Sequence, residues 1–210
     1  YFSDGSPSSE GLSVTNSTGD ASAGGTAYTL EFWLYPTTEP GSGQRWITNF
    51  GDNAAGRRIY ISSGAAARLF IDNATDNHYY SHNSSGTGHT GYGFRQKQWY
   101  HVAITRNSSN ASSIYINGVK QAHYGTASDT NTFGNNSGTT TIANQGNAGF
   151  GSANPFIGYI SDYRYVNGTE VYTGDFTPPT KPLTKTGGTY PSSTNIATIG
   201  SGHTRMLFNF

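Results

Sequence analysis

FIGYISDYRYVNGTEVYTGDFTPPTKPL, residues Phe156 to Leu183, is the stretch that decides the fold. Its apolar phase holds at Phe156, Gly158 and Ile160 and then jumps to Tyr163 and Tyr165. Side chains alternate faces along a strand, so the jump needs one extra residue, and a β-bulge is expected near Ser161-Asp162. Asn167-Gly168 ends the strand. Thr169 to Tyr172 can make one short helical turn. Pro178, Pro179 and Pro182 then forbid both a helix and a central strand, which leaves an extended return across the surface.

Outward from this stretch, strand signals recur near Gly11 to Asn16, Ala27 to Tyr35, Arg45 to Asn49, Arg57 to Ser62, Arg68 to Asp72 and Tyr79 to His82. They continue near Trp99 to Arg106, Ser112 to Asn117, Val119 to Tyr124, Thr139 to Ala143 and Arg205 to Phe210. Turn residues separate them and no long amphipathic helix interrupts them, so the expected fold class is all-β, a two-sheet antiparallel β-sandwich. In Tyr28 to Tyr35, alternation puts Tyr28, Leu30, Phe32 and Leu34 toward the core and Thr29, Glu31, Trp33 and Tyr35 on the other face. Tyr100, Val102 and Ile104 form a second inward row, opposite His101, Ala103 and Thr105. Asn117-Gly118 between two β-rich runs predicts a type I′ hairpin in which Ile116 faces Val119. The last strand, Met206 to Phe210, is expected to return near the first.

With 210 residues the chain fits one large all-β domain, 1–210, since sandwiches run to ~200 to 250 residues as single units. Charged residues are 11% of the chain against about 25% in ordinary globular proteins, and 12 basic residues balance 12 acidic ones. Such a surface lacks the field that neutralises phosphates or holds an anionic membrane, which argues against nucleic-acid and membrane partners. The absence of cysteine excludes disulfides and thiolate metal sites. Apolar runs are far too short for a membrane-spanning helix. The chain starts at Tyr1 rather than Met, which suggests a processed or partial product and leaves open whether an anchor lies upstream. Seven Asn-x-Ser/Thr triplets, from Asn16 to Asn167, are what a chain this rich in Asn, Ser and Thr produces by chance.

The phrase Gly158 to Leu183 resembles one found in laminin G-like, concanavalin A-like jelly rolls, particularly those of bacteriophage structural proteins. YTLEFWLYP at Tyr28 to Pro36, WYHVAITR at Trp99 to Arg106, IYINGV at Ile114 to Val119 and MLFNF at Met206 to Phe210 fall in that family's order, and GLSVTNS at Gly11 to Ser17 is similar to its opening strand. The resemblance implies a concanavalin A-like jelly roll. It leaves function open, because such sandwiches host lectins, glycosidases, adhesins and architectural modules.

Glycosidases of the laminarinase type in this fold carry Glu-x-Asp-x-x-Glu on one strand, the close carboxylate spacing that retaining hydrolysis needs. The glutamates here are Glu10, Glu31, Glu39 and Glu170, and none is followed two residues later by Asp. No catalytic residue is therefore assigned. His101 reads as a hydrogen-bonded sheet residue rather than a base. His78, His82 and His89 lie in one tract but lack a further zinc ligand. Calcium fits better: Asp72 and Asp76, in DNATDN, supply oxygens just beyond a strand end, although turns favour the same residues. Otherwise no cofactor is expected.

Three polar tracts, Asn73 to Lys97, Ala127 to Gly138 and Gln145 to Asn154, interrupt the strands, and long connections of this kind often bind something. Glycan recognition needs an aromatic platform flanked by amides, hydroxyls or carboxylates. Tyr79, Tyr80 and Tyr92, with Asp76, His82 and Asn83, offer that chemistry. Trp33 and Tyr35 are second candidates if their face is open rather than covered by a loop. The expected function, with its virion part implied by the resemblance alone, is a non-enzymatic bacteriophage surface protein, a head decoration or tail-fibre module at the virion surface. Its expected partners are other virion proteins, host-surface polysaccharide and further copies of itself. A secreted bacterial lectin or carbohydrate-binding module is the rival reading, and a glycoside hydrolase the third.

Overall fold

The computed structural model describes residues 2–3, 11–15, 27–38, 44–50, 57–62, 68–72, 77–80, 94–121, 123–125, 139–144 and 155–210. In chain order its strands are β1 (Phe2–Ser3), β2 (Leu12–Thr15), β3 (Tyr28–Pro36), β4 (Gln44–Phe50), β5 (Arg57–Ser62), β6 (Arg68–Asp72) and β7 (Asn77–Tyr80). There follow β8 (Tyr100–Arg106), β9 (Ser112–Ile116), β10 (Val119–Lys120), β11 (His123–Gly125), β12 (Thr139–Ile142), β13 (Gly158–Asn167) and β14 (Thr204–Phe208). One antiparallel sheet, the front sheet, runs β1-β13-β3-β8-β9-β10, with β14 also on β13; the back sheet runs β11-β7-β6-β5-β4-β12-β2. The fold is an all-β two-sheet antiparallel sandwich, as the alternation predicts, and a jelly roll, as the resemblance implies.

The two sheets share one interior. The front sheet contributes Leu30, Phe32, Leu34, Val102, Ile104 and Ile160, all fully buried, and the back sheet contributes Ile47, Phe50, Ile59, Ile61 and Ile142. Tyr163 brings a polar link into this layer. Its ring stacks on Phe32 at 6.0 Å, and its hydroxyl lies 3.0 Å from Thr48 Oγ1, which donates to Thr141 O at 2.8 Å. A buried hydroxyl without such a partner would cost about 1–3 kcal/mol, so the pair ties β13 to β4 without an unsatisfied group.

The bulge lies where the apolar phase predicts it. Pairing of β13 with β3 slips between Ser161 and Arg164, and Asp162 takes a φ of 49°, a left-handed conformation that Asp tolerates better than most residues. Asn117 and Gly118 have φ of 52° and 79°, as a type I′ turn requires, and Ile116 pairs with Val119.

Several expectations are corrected. Thr169 to Tyr172 forms no helical turn. Val171 N donates to Thr29 Oγ1 at 2.8 Å, Val171 O accepts from Ala197 N at 2.8 Å, and Tyr172 bridges Ile196, so sheet and neighbouring backbone satisfy groups that a lone turn would leave to water. Val119 to Tyr124 is not one strand: the chain leaves the front sheet after Lys120 and joins the back sheet at His123. Such sheet switching at corners is a property of packed sandwiches that strand propensity does not reveal. The last strand does not meet Leu12–Thr15, which edges the back sheet. β14 pairs with β13 through Tyr163–Phe208 and Tyr165–Met206, on the same edge that β1 occupies at Gly158 and Tyr159. β7 begins at Asn77, two residues earlier than expected.

Candidate functional site

The outer face of the front sheet is covered around Ala103, Tyr115 and Val166 and exposed at Trp99 and Tyr159. The cover is a strap of irregular chain, residues 169–202, that follows β13. Val171, Tyr172, Phe176 and Ile199 of the strap pack on Ala103, Tyr115 and Val166 of the sheet as a second apolar cluster, with Tyr172 and Phe176 stacked at 3.7 Å. The hairpin tip clamps it. Phe176 N donates to Gly118 O at 2.9 Å, and a Cβ on Gly118 would stand 1.9 Å from Phe176 O, so only glycine admits this approach.

Beneath the strap lies a buried charge network centred on Glu31 of β3. Arg164 Nε donates to Glu31 Oε1 at 2.8 Å and Nη2 to the same oxygen at 2.5 Å. Tyr172 OH donates to Glu31 Oε2 at 2.5 Å, and His101 Nε2 lies 3.3 Å from it. Arg164 also donates through Nη1 to the carbonyls of Thr184 and Gly187 and through Nη2 to Tyr190 OH at 3.2 Å, so its remaining protons fasten the strap. Burial by itself would raise the Glu31 carboxyl, but Arg164 first, then His101 and Tyr172, outweigh it and hold the group down to about 2. Burial and the Glu31 charge push the Tyr172 phenol well above its usual range. His101 is thus the sheet residue that the sequence suggests.

Where the strap turns away, an aromatic pocket of about 360 Å³ is lined by Trp33, Trp99, Ser161, Asp162 and strap residues 179–182. Each wall has a local cause. Trp33 is an outward position of β3, packed edge-on against His101 at 5.1 Å. Trp99 precedes the inward residue Tyr100, so alternation turns it out, and it is 46% exposed. The bulge presents Ser161 and Asp162, with Asp162 Oδ1 accepting from Leu183 N at 3.3 Å and Oδ2 from Ser161 Oγ at 3.1 Å. The proline-rich return supplies Pro179, Thr180, Lys181 and Pro182. Beside the pocket, Tyr35 lies 5.3 Å from the Trp99 ring and 5.8 Å from Tyr159. Indole faces beside a carboxylate, an ammonium and hydroxyls can hold the apolar side of a sugar ring while hydrogen-bonding its rim. Hydrolysis of a glycosidic bond needs a carboxyl pair, and Asp162 is the one carboxylate among the described residues lining the pocket. Glu31 is fully buried and ion-paired.

Of the residues singled out from sequence, Trp33 and Tyr35 stand at this site, on the part of their face that the strap leaves uncovered. Tyr79 and Tyr80 lie in β7, in register with Phe70 and Leu69 respectively. Asp72 ends β6. Asp76, His82, Asn83 and Tyr92 lie outside the described residues, as do the tracts Ala127 to Gly138 and Gln145 to Asn154. Among the described residues no three His, Asp or Glu side chains cluster as metal ligands. Trp99, Tyr159, Asp162 and Lys181 were missed. Alternation marks Trp99 and Tyr159 as outward, but only the strand register brings them beside Tyr35.

The family model for the concanavalin A-like lectin/glucanases superfamily matches residues 8–165. The chain superposes on a Bacteroides ovatus protein inferred to bind carbohydrate with a TM-score of 0.54 at 16% identity, over 88% of this chain and 45% of that one. It superposes on the ligand binding domain of botulinum neurotoxin serotype D, in complex with N-acetylneuraminic acid, with a TM-score of 0.51 at 17% identity, over 77% and 37%. The chain thus spans less than half the length of either protein. A heptameric pentraxin from Limulus polyphemus aligns over 99% of this chain and 87% of its own, with a TM-score of 0.47 at 15% identity. Likeness at these identities concerns the fold alone. No curated protein matches the chain.

Proposed function

Because the chain belongs to the concanavalin A-like lectin/glucanases superfamily, we propose that it is a non-enzymatic carbohydrate-binding sandwich that takes a sugar ring in the Trp33–Trp99 pocket. The observation that carries this reading is the joining of two indoles with Asp162, Lys181 and Thr180 around one half-exposed pocket. An aromatic that anchors a ligand contributes about 2 kcal/mol or more when truncated, close to thirtyfold in affinity. Trp33→Ala and Trp99→Ala are therefore each expected to weaken binding on a glycan array by that factor, with far-UV spectra unchanged. Selective glycan binding that survives both substitutions, or turnover of β-glucans that copurifies with the protein, would overturn the reading.

The sequence phrase Gly158 to Leu183 further supports display on a bacteriophage particle, as a head decoration protein or a tail-fibre module, where the pocket would meet host-surface polysaccharide. Mass spectrometry of purified virions tests this. High copy number fits decoration, low copy number fits a fibre, and absence leaves the secreted lectin or carbohydrate-binding module.

A further inference from the structure

The aromatic surface does not stop at the pocket. Tyr35 and Tyr159 are directly paired residues of β3 and β13, and neither lines the pocket, yet with Trp99 they form a continuous group of three rings. Trp99 is 46% exposed and Tyr159 43%, two of the four large apolar side chains left exposed among the described residues. Core packing gives no account of such a group, and adjoining exposed rings mark a surface that something covers. Its chemistry matches the pocket it adjoins.

Resting on the carbohydrate-binding reading, we infer that the site holds at least two consecutive sugar rings of a single soluble polysaccharide chain, one against Trp33 and Trp99 and the next on Tyr35 and Tyr159. The three centroids close a compact triangle with sides of 5.3 Å, 5.8 Å and 6.4 Å, a patch about the width of one further sugar ring placed beside the pocket. Their planes are tilted against one another by 51°, 67° and 45°. Three rings so inclined cannot lie flush on a flat crystalline face. They can follow a chain whose successive rings turn. Trp99, shared between pocket and platform, serves both subsites. The strap closes the face beyond Trp33, where His101 lies beneath Phe176 at 5.6 Å, so the chain extends toward Tyr159.

Calorimetry with soluble oligosaccharides graded from monosaccharide to hexasaccharide, chosen from the array hits, tests this on the full chain. Affinity is expected to rise about tenfold or more on passing from one ring to two or more. Tyr159→Ala is expected to remove that gain and leave the monosaccharide affinity unchanged, Tyr159→Phe to keep the gain, and the protein to stay off crystalline cellulose and chitin. Equal affinity for all lengths, a gain that persists in Tyr159→Ala, or retention on crystalline cellulose overturns the two-subsite inference while leaving carbohydrate binding in place. If no saccharide of any length binds, both fall.

Discussion

At Glu31, burial and charge pull in opposite directions, and charge wins. A carboxyl held to about 2 in the folded chain against an ordinary 4.5 binds protons more weakly folded than unfolded. Its contribution to stability is therefore full above about pH 5 and is lost as pH falls through about 2, an effect on the order of 3 kcal/mol. Glu31→Gln is expected to lower stability at neutral pH by about 3–5 kcal/mol, because Arg164 is left buried and unpaired, and to flatten the acid limb. Urea midpoints measured from pH 7 to pH 2 check both, and an acid limb as steep in Glu31→Gln as in the parent would contradict this role. In the sequence Glu31 is visible only as a glutamate without catalytic spacing. Its partner is 133 residues away, and no local pattern connects them.

Period-two alternation sets the inward rows of β3 and β8, a phase jump locates the bulge of β13, and Asn117-Gly118 fixes the hairpin, because each depends on residues within one turn or strand. The strap, the split between β10 and β11 and the partner of β14 depend on which distant edge is vacant. β14 covers Tyr163, Arg164 and Tyr165 along one edge of β13, and Phe208 packs at 6.2 Å from the Tyr163 ring. Deleting residues 207–210 should bare that edge to another chain's backbone and produce aggregates detectable by light scattering. A truncated protein that stays soluble and melts cooperatively would show that β14 is dispensable.

For the molecule as a whole, the two sheets are a frame, and the accessible end of the front face, bounded by the strap, is where chemistry gathers. Residues at positions 33, 99, 161–162 and 179–182 converge there from four separate parts of the chain. A linear reading favours Asn73 to Lys97 because its aromatic and polar residues are neighbours in sequence. It finds Trp33 and Tyr35 through alternation alone, and loses Trp99 and Tyr159 because their proximity is a product of register. The three tryptophans offer the most direct test of the central claim, since Trp33 and Trp99 flank the pocket while Trp46 sits on the back sheet, 4% exposed and packed on Tyr60. In an NMR titration with a soluble oligosaccharide selected from the array, the indole N–H signals of Trp33 and Trp99 should shift together and saturate while Trp46 stays still. A shift confined to Trp46, or saturable binding that moves none of the three, would contradict the account.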